Sequence, residues 1–191
     1  TKIMLLCDHQ IELLIQNGLI QNYNKSSYTD LPISAGVSST GYDLTLAEEM
    51  YLIGESQLVD PLNFKRESLT LLPVEYHEHN GKTYPIAKMP PKSVVLAHSV
   101  ETLNMPENVT GQCVGKSTYA RSGVDQFGTP LEPGWCGQVT IELINNTNAA
   151  VILYIGMGIL QVQFFQHETP KLSYAKKQGK YQHQQGVTTA R

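Results

Sequence analysis

The chain has no apolar run approaching the roughly 18 residues that a membrane-spanning helix needs, so no membrane partner is expected. Its first residues lack the charged start, apolar core and small-residue cleavage site of a secretory signal, so none is expected. Cysteine is scarce: Cys7, Cys113 and Cys136 are odd in number and widely spaced, and no Cys-x-x-Cys occurs. That fits reduced thiols in the cytoplasm better than a disulfide framework. Positive charge is not in excess, with 14 Lys and Arg against 17 Asp and Glu for a net charge of −3, which argues against nucleic acid as a partner. Repeats and disorder-prone composition are also missing. With 191 residues, 41% hydrophobic and 16% charged, the expected organisation is a single domain over 1–191.

What the chain does have is a texture of short strands. Asp8 can cap a short N-terminal helix with Ile11, Leu14 and Ile15 at helical spacing and Gly18 as its stop. Beyond it, Ser93 to Leu103 is rich in β-branched and aliphatic residues. Gln138 to Ile144 alternates, with Val139, Ile141 and Leu143 on one face and Thr140, Glu142 and Ile144 on the other. Leu160 to Phe165 alternates likewise. Pro133-Gly134, Asn145-Asn146 and Gly156-Met157-Gly158 punctuate these segments. The fold class is mainly β, a sandwich or barrel. His77-Glu78-His79 resembles a metal pair, but beside Asn80-Gly81 it reads as a solvated hairpin turn.

The densest chemistry lies in Gly115-Lys116-Ser117-Thr118-Tyr119-Ala120-Arg121-Ser122-Gly123. Glycines allow close backbone approach, hydroxyls donate and accept, and an Arg fork binds phosphate or a planar polar group bidentately. Thr110 stands where a Walker A loop requires Gly, so a P-loop kinase or ATPase is excluded. Glu142 sits mid-strand among hydrophobic residues, where a carboxylate is costly without a partner or a task. It is either a solvent-facing strand residue or a working acid. The tail from Lys171 carries Lys171, Lys176, Lys177, Lys180 and Arg191 with no acid after Glu168. It is either a solvated terminus or a basic C-terminal arm, 171–191, that closes over an anionic ligand.

Gly-Lys-Ser-Thr-Tyr-Ala-Arg from Gly115, Thr129-Pro130-Leu131-Glu132-Pro133 and Thr140-Ile141-Glu142 together resemble the dCTP deaminase family of the trimeric dUTPase-like superfamily. The likeness extends to Leu6-Cys7-Asp8, Ser38-Ser39-Thr40-Gly41-Tyr42-Asp43, Val59 to Phe64 and Gly179-Lys180-Tyr181-Gln182 with Gln184. It implies a distorted jelly-roll-like β-barrel and a homotrimer. It also implies hydrolytic deamination of a deoxycytidine nucleotide, dCTP to dUTP and ammonia, a step that feeds dUMP and dTTP synthesis.

By the same resemblance Glu142 is the catalytic acid/base, and Ser117 and Arg121 position the base and the water. Lys116 and Thr118 contact phosphate and backbone, and Glu132 stands near the sugar. Thr140 and Ile141 through their main chain, with the Gln161 amide, read the pyrimidine edge. Tyr174, Lys180 and Gln184 hold the triphosphate, and the arm orders on it. Zinc-dependent nucleobase deaminases carry His-x-Glu followed by Pro-Cys-x-x-Cys. This chain has no such pair of cysteines, so no zinc is expected and Mg²⁺ is expected only through the phosphates. Tyr119 and Trp135 read as core.

Two departures bear on substrate choice: Val124-Asp125-Gln126-Phe127-Gly128 beside the base pocket, and Thr45 where Arg is frequent. A bifunctional deaminase and dUTPase releasing dUMP and pyrophosphate, a deaminase preferring dCMP or deoxycytidine, and a plain dUTPase stay open. A plain dUTPase would show a Gly-rich, Phe-bearing arm where this tail has Tyr181 and Gln184. A non-catalytic regulator on the same fold is opposed by the intact set Ser117, Arg121 and Glu142.

Overall fold

Period-two alternation is what builds this molecule. The computed structural model describes residues 3–25, 31–54 and 59–190. Arg191 of the expected basic arm lies outside them. The strands are β1 (Met4–Leu5), β2 (Ile20–Gln21), β3 (Gly36–Ser38), β4 (Gly41–Thr45), β5 (Tyr51–Leu52), β6 (Thr70–Leu71) and β7 (Glu75–His79). They continue with β8 (Lys82–Met89), β9 (Val94–Asn104), β10 (Val109–Gly115), β11 (Val124–Phe127), β12 (Cys136–Asn145), β13 (Val151–Tyr154) and β14 (Gly158–Gln166). Two short α-helices, α1 (Asp8–Gln16) and α2 (Ser117–Ala120), and a 3-10 turn over Arg66–Ser68 complete the regular structure among the described residues.

The strands form three sheets. In the first, β14 pairs along one edge with β10 and along the other with β4 and β1, and β3 extends β4. The second runs β11-β12-β9-β5-β6, with β2 also on β9. The third is β13-β8-β7. Among the described residues the ladder does not close into one barrel. Single bridges such as Leu46 to Ser99 link the sheets where a continuous ladder is interrupted. The mainly β class is as expected, and the barrel is an open one.

β12 shows how sequence dictates this. Gly137, Val139, Ile141, Leu143 and Asn145 are buried while Gln138, Thr140, Glu142 and Ile144 are partly open. Each fully buried aliphatic side chain contributes about 1.5–3 kcal/mol, so a strand with this pattern has one stable orientation. β14 repeats the pattern with Leu160, Val162 and Phe164 inward. Helix α1 buries Ile11 and Ile15, as its spacing predicts. Its cap differs from expectation. Cys7 occupies the N-cap position and its N–H donates to Gln10 Oε1 at 3.1 Å, while Asp8 opens the first turn and accepts the His9 N–H at 2.7 Å. A carboxylate there still complements the helix dipole. The β7–β8 hairpin turns through Asn80 and Gly81, both with positive φ, as the Asn-Gly signal predicts.

Strand β9 carries a carboxylate into the interior. Glu101 on β9 is 0% exposed and accepts from the Tyr42 hydroxyl at 3.1 Å, the Thr45 hydroxyl at 2.7 Å and the Thr45 N–H at 2.9 Å. Burial raises its pKa against the pull of these donors.

Candidate functional site

The outward face of β12 forms the floor of a cleft of about 640 Å³. Thr140 and Glu142 rise from it, Leu96 of β9 adjoins, and Trp135 with the loop carrying Thr129 and Glu132 makes one wall. The C-terminal segment makes the other through Tyr174, Lys180 and Gln184. The strand period places Thr140 and Glu142 on one face, two residues apart.

Glu142 stands opposite Phe127 of β11 and Leu96 of β9. These apolar neighbours leave its carboxylate poorly hydrated. Burial therefore raises its pKa above the ordinary carboxylate range, opposed by a main-chain hydrogen bond. A carboxylate raised in this way, in a cleft, is suited to general acid and base work. The Cys113 thiol lies close by. Burial, and then the negative charge of Glu142, push it up to about 12, so it stays a neutral thiol. Gly128 completes this packing: a Cβ there would meet Cys113 Sγ at 2.8 Å and Leu160 Cδ2 at 2.9 Å.

The arm is docked along the same strand. Gln184 Nε2 donates to the Gln138 oxygen at 2.7 Å and to Thr140 Oγ1 at 3.4 Å. Thr188 N–H donates to the same hydroxyl at 3.3 Å. Trp135 Nε1 donates to the Tyr181 oxygen at 3.0 Å, and Val187 is 3% exposed. Lys176 pairs with Glu107 at 2.8 Å and Lys177 with Glu132 at 3.7 Å. Exposed pairs of this kind contribute little each, so main-chain bonds and the buried Val187 do most of the holding. Through these contacts the arm packs on β12 and on the loop at Pro133.

Of the expected site residues, Glu142, Thr140, Glu132, Tyr174, Lys180 and Gln184 line this one cleft. Ile141 points into the core, so only its main chain can serve the cleft. Ser117, Thr118 and Arg121 are exposed on and beside α2 and do not line it. Lys116 is 8% exposed, with its ammonium on the Asp43 carboxylate and on Ser34 Oγ at 2.9 Å. Gln161 Nε2 donates to Asp43 Oδ1 at 3.0 Å and Ser38 Oγ at 3.2 Å. Trp135 is core, as expected, and its indole edge also forms cleft wall. Gln138 was not foreseen. Its Oε1 accepts the Gly186 N–H at 2.7 Å, and its outward place two residues before Thr140 was the available signal.

The family model for dCTP deaminase-like proteins matches residues 5–167. The chain belongs to the dCTP deaminase-like family. The family match runs from β1 through β14 and ends just before the arm. The chain is 41% identical over 188 residues to the dCTP deaminase of Acidiphilium cryptum, covering 96% of this chain and 97% of that one. It is 43% identical over 159 residues to that of Chlamydia felis, covering 82% and 78%. The crystal structure of 2'-deoxycytidine 5'-triphosphate deaminase from Agrobacterium tumefaciens superposes with a TM-score of 0.63 at 15% identity. That match covers 87% of this chain and 49% of the other, and at such identity it speaks for the fold. No helix among the described residues is long and apolar enough to cross a membrane.

Proposed function

We propose that this chain hydrolyses the exocyclic C4–N bond of dCTP, giving dUTP and ammonia, with Glu142 as the single general acid/base. Family membership supports the reaction class. The observation that carries the residue assignment is the half-buried Glu142 carboxylate, raised in pKa, on the floor of a nucleotide-sized cleft.

The steps balance on one carboxylate. Glu142 accepts a proton from water as the water oxygen bonds to C4, and passes that proton to N3. It then takes the proton of the new hydroxyl and delivers it to the amino group. The C4–N bond breaks, ammonia departs, and C4=O forms. Thr140 and the main chain of Ile141 lie beside Glu142 where they can meet the pyrimidine edge. Tyr174, Lys180 and Gln184 on the arm face the phosphates, and Glu132 the sugar.

Magnesium enters with the triphosphate. Mg²⁺ takes oxygen ligands and keeps several waters. Glu142 is committed to proton transfer and Glu132 is shared with Lys177, so the phosphates are the better donors. When bound, the ion neutralises phosphate charge. The one group of three potential ligands among the described residues, Cys7, Asp8 and His9 at the start of α1, does not line the cleft.

Ser117 and Arg121 do not line the cleft of their own chain. This favours a homotrimer in which a neighbouring chain brings them to each cleft, where they polarise the base and hold the water. Incubation with dCTP and magnesium, with separate measurement of ammonia, dUTP, dUMP and pyrophosphate, tests the reading. Equal amounts of dUTP and ammonia are expected. Ammonia with dUMP and pyrophosphate makes the enzyme bifunctional, and absence of ammonia overturns the proposal.

A further inference from the structure

Lys116 and Arg121 are both basic residues of the Gly115–Gly123 run, yet the fold uses them in opposite directions. Arg121 is exposed, whereas Lys116 turns inward and is 8% exposed. Its Nζ meets the Asp43 carboxylate, itself 1% exposed, and donates to Ser34 Oγ at 2.9 Å. The second Asp43 oxygen accepts from Gln161 Nε2 at 3.0 Å. Gly158 clears the way for this arrangement: a Cβ there would lie 1.9 Å from the Ser34 oxygen and 3.3 Å from Lys116 Cε. The main chain of Lys116 is held as well, its N–H donating to Gln126 Oε1 at 2.5 Å.

The turn after Lys116 needs such an anchor. α2 is four residues long, far below the length at which a helix is stable on its own. Lys116 is its N-cap residue, and its oxygen accepts the N–H groups of Tyr119 and Ala120 at 3.2 and 3.1 Å. At the other face Tyr119 is 3% exposed, core as expected, and its hydroxyl accepts the Tyr154 N–H at 3.0 Å. Ser117 and Thr118 between these two anchors, and Arg121 just beyond the second, are exposed.

We propose that Lys116 is a positioning residue, not a phosphate ligand: through Asp43 and Ser34 it fixes the turn that presents Ser117 and Arg121. What those two residues then do rests on the deaminase reading, but the anchoring does not. Moving the lysine to a phosphate would break its contacts with Asp43, 1% exposed on strand β4, and with Ser34, and breaking a buried ion pair is strongly disfavoured. Misplacing reactive groups by about 1 Å can cost roughly 10²-fold in rate, so loss of the anchor is read in turnover.

The test uses Lys116→Met, Asp43→Asn, the double variant and Ser34→Ala in the full chain. Each is read in two ways. The first is tryptic cleavage after Arg121, with cleavage after Lys82 as internal reference. The second is kcat and KM for dCTP. Cleavage after Arg121 is expected to rise at least about tenfold over that after Lys82 in Lys116→Met and Asp43→Asn, and less in Ser34→Ala. At least a tenfold fall in kcat is expected with KM within about threefold, and the double variant should be no worse than Lys116→Met. A KM that rises in Lys116→Met and falls in Asp43→Asn, with Arg121 cleavage unchanged, would make Lys116 a phosphate ligand and overturn the proposal. An equal rise at both cleavage sites would reduce the pair to general stability and overturn it too. Failure of the wild-type chain to release ammonia from dCTP would count against the deaminase reading alone, because the cleavage ratio is read without turnover.

Discussion

Gln184 and Gln138 clasp each other: Gln184 Nε2 donates to the Gln138 oxygen at 2.7 Å, and the Gln138 N–H donates to the Gln184 oxygen at 3.0 Å. One residue of the arm is thereby joined to the strand that carries Glu142. The arm is wall and clamp together. Its removal should reach beyond nucleotide affinity.

Truncation after Leu172 gives up the buried Val187, the Trp135 to Tyr181 bond and the Gln184 clasp. Burial of one Val and the net gain from each hydrogen bond are each about 1 kcal/mol or more. A loss of at least about 2 kcal/mol is expected, or roughly 4–8 °C in Tm for a chain of this size. Calorimetry of the truncated chain checks it, and an unchanged Tm would mean that the arm is not docked in solution.

Glu142→Gln keeps the shape of the side chain but cannot exchange a proton. Turnover of dCTP should fall at least about 10²-fold, with nucleotide binding by titration calorimetry largely retained. Near-normal turnover would assign the chemistry elsewhere.

The same substitution has a stability signature whose sign follows from the raised pKa of Glu142. A carboxyl with a raised folded-state pKa contributes stability that is complete below its unfolded value and is lost as pH rises through the folded value. Relative to wild type, Glu142→Gln should therefore raise Tm at pH 8 and leave it nearly unchanged near pH 4. The acid limb of kcat should fall above the ordinary carboxylate value for the same reason. A Tm difference that does not vary with pH would contradict the burial of the carboxylate.

Gly128→Ala introduces a Cβ at 2.8 Å from Cys113 Sγ. Over-packing of this kind costs about 1–3 kcal/mol, read as a lower urea midpoint. Adding Cys113→Ala should recover part of the loss, the remainder coming from Leu160 Cδ2 at 2.9 Å. No recovery would show that the thiol is not the obstacle.

Mixing inactive Glu142→Gln chains with inactive Arg121→Ala chains should restore part of the activity if a neighbour supplies Arg121 to each cleft. Sedimentation of fully active protein as a monomer would end that reading.

Sequence patterning made much of this visible. The alternation from Gln138 to Ile144 placed Glu142 and Thr140 together on the open face, and Asn80-Gly81 marked its hairpin. Positions governed by distant partners were not visible. Lys116 and Asp43 are 73 residues apart in the chain, and no local period reveals that a lysine in a polar, Gly-bracketed run turns inward. The docking of the arm was hidden for a related reason. Its Lys176 and Lys177 face Glu107 and Glu132, far upstream in the chain.

β12 has a further consequence for how such a chain can vary. Side chains on it face core and cleft by turns, and its register to β9 shifts once, between Gln138 and Thr140. Deleting or inserting one residue downstream of that shift and before Glu142 would exchange the two faces. The working carboxylate would be pressed among Val, Ile and Leu, and an aliphatic chain would stand in the cleft. Substitutions can accumulate along this stretch one at a time, but its length is fixed by parity. A library of single-residue insertions should show 140–142 as a gap in tolerance even where individual replacements at Ile144 or Gln138 survive.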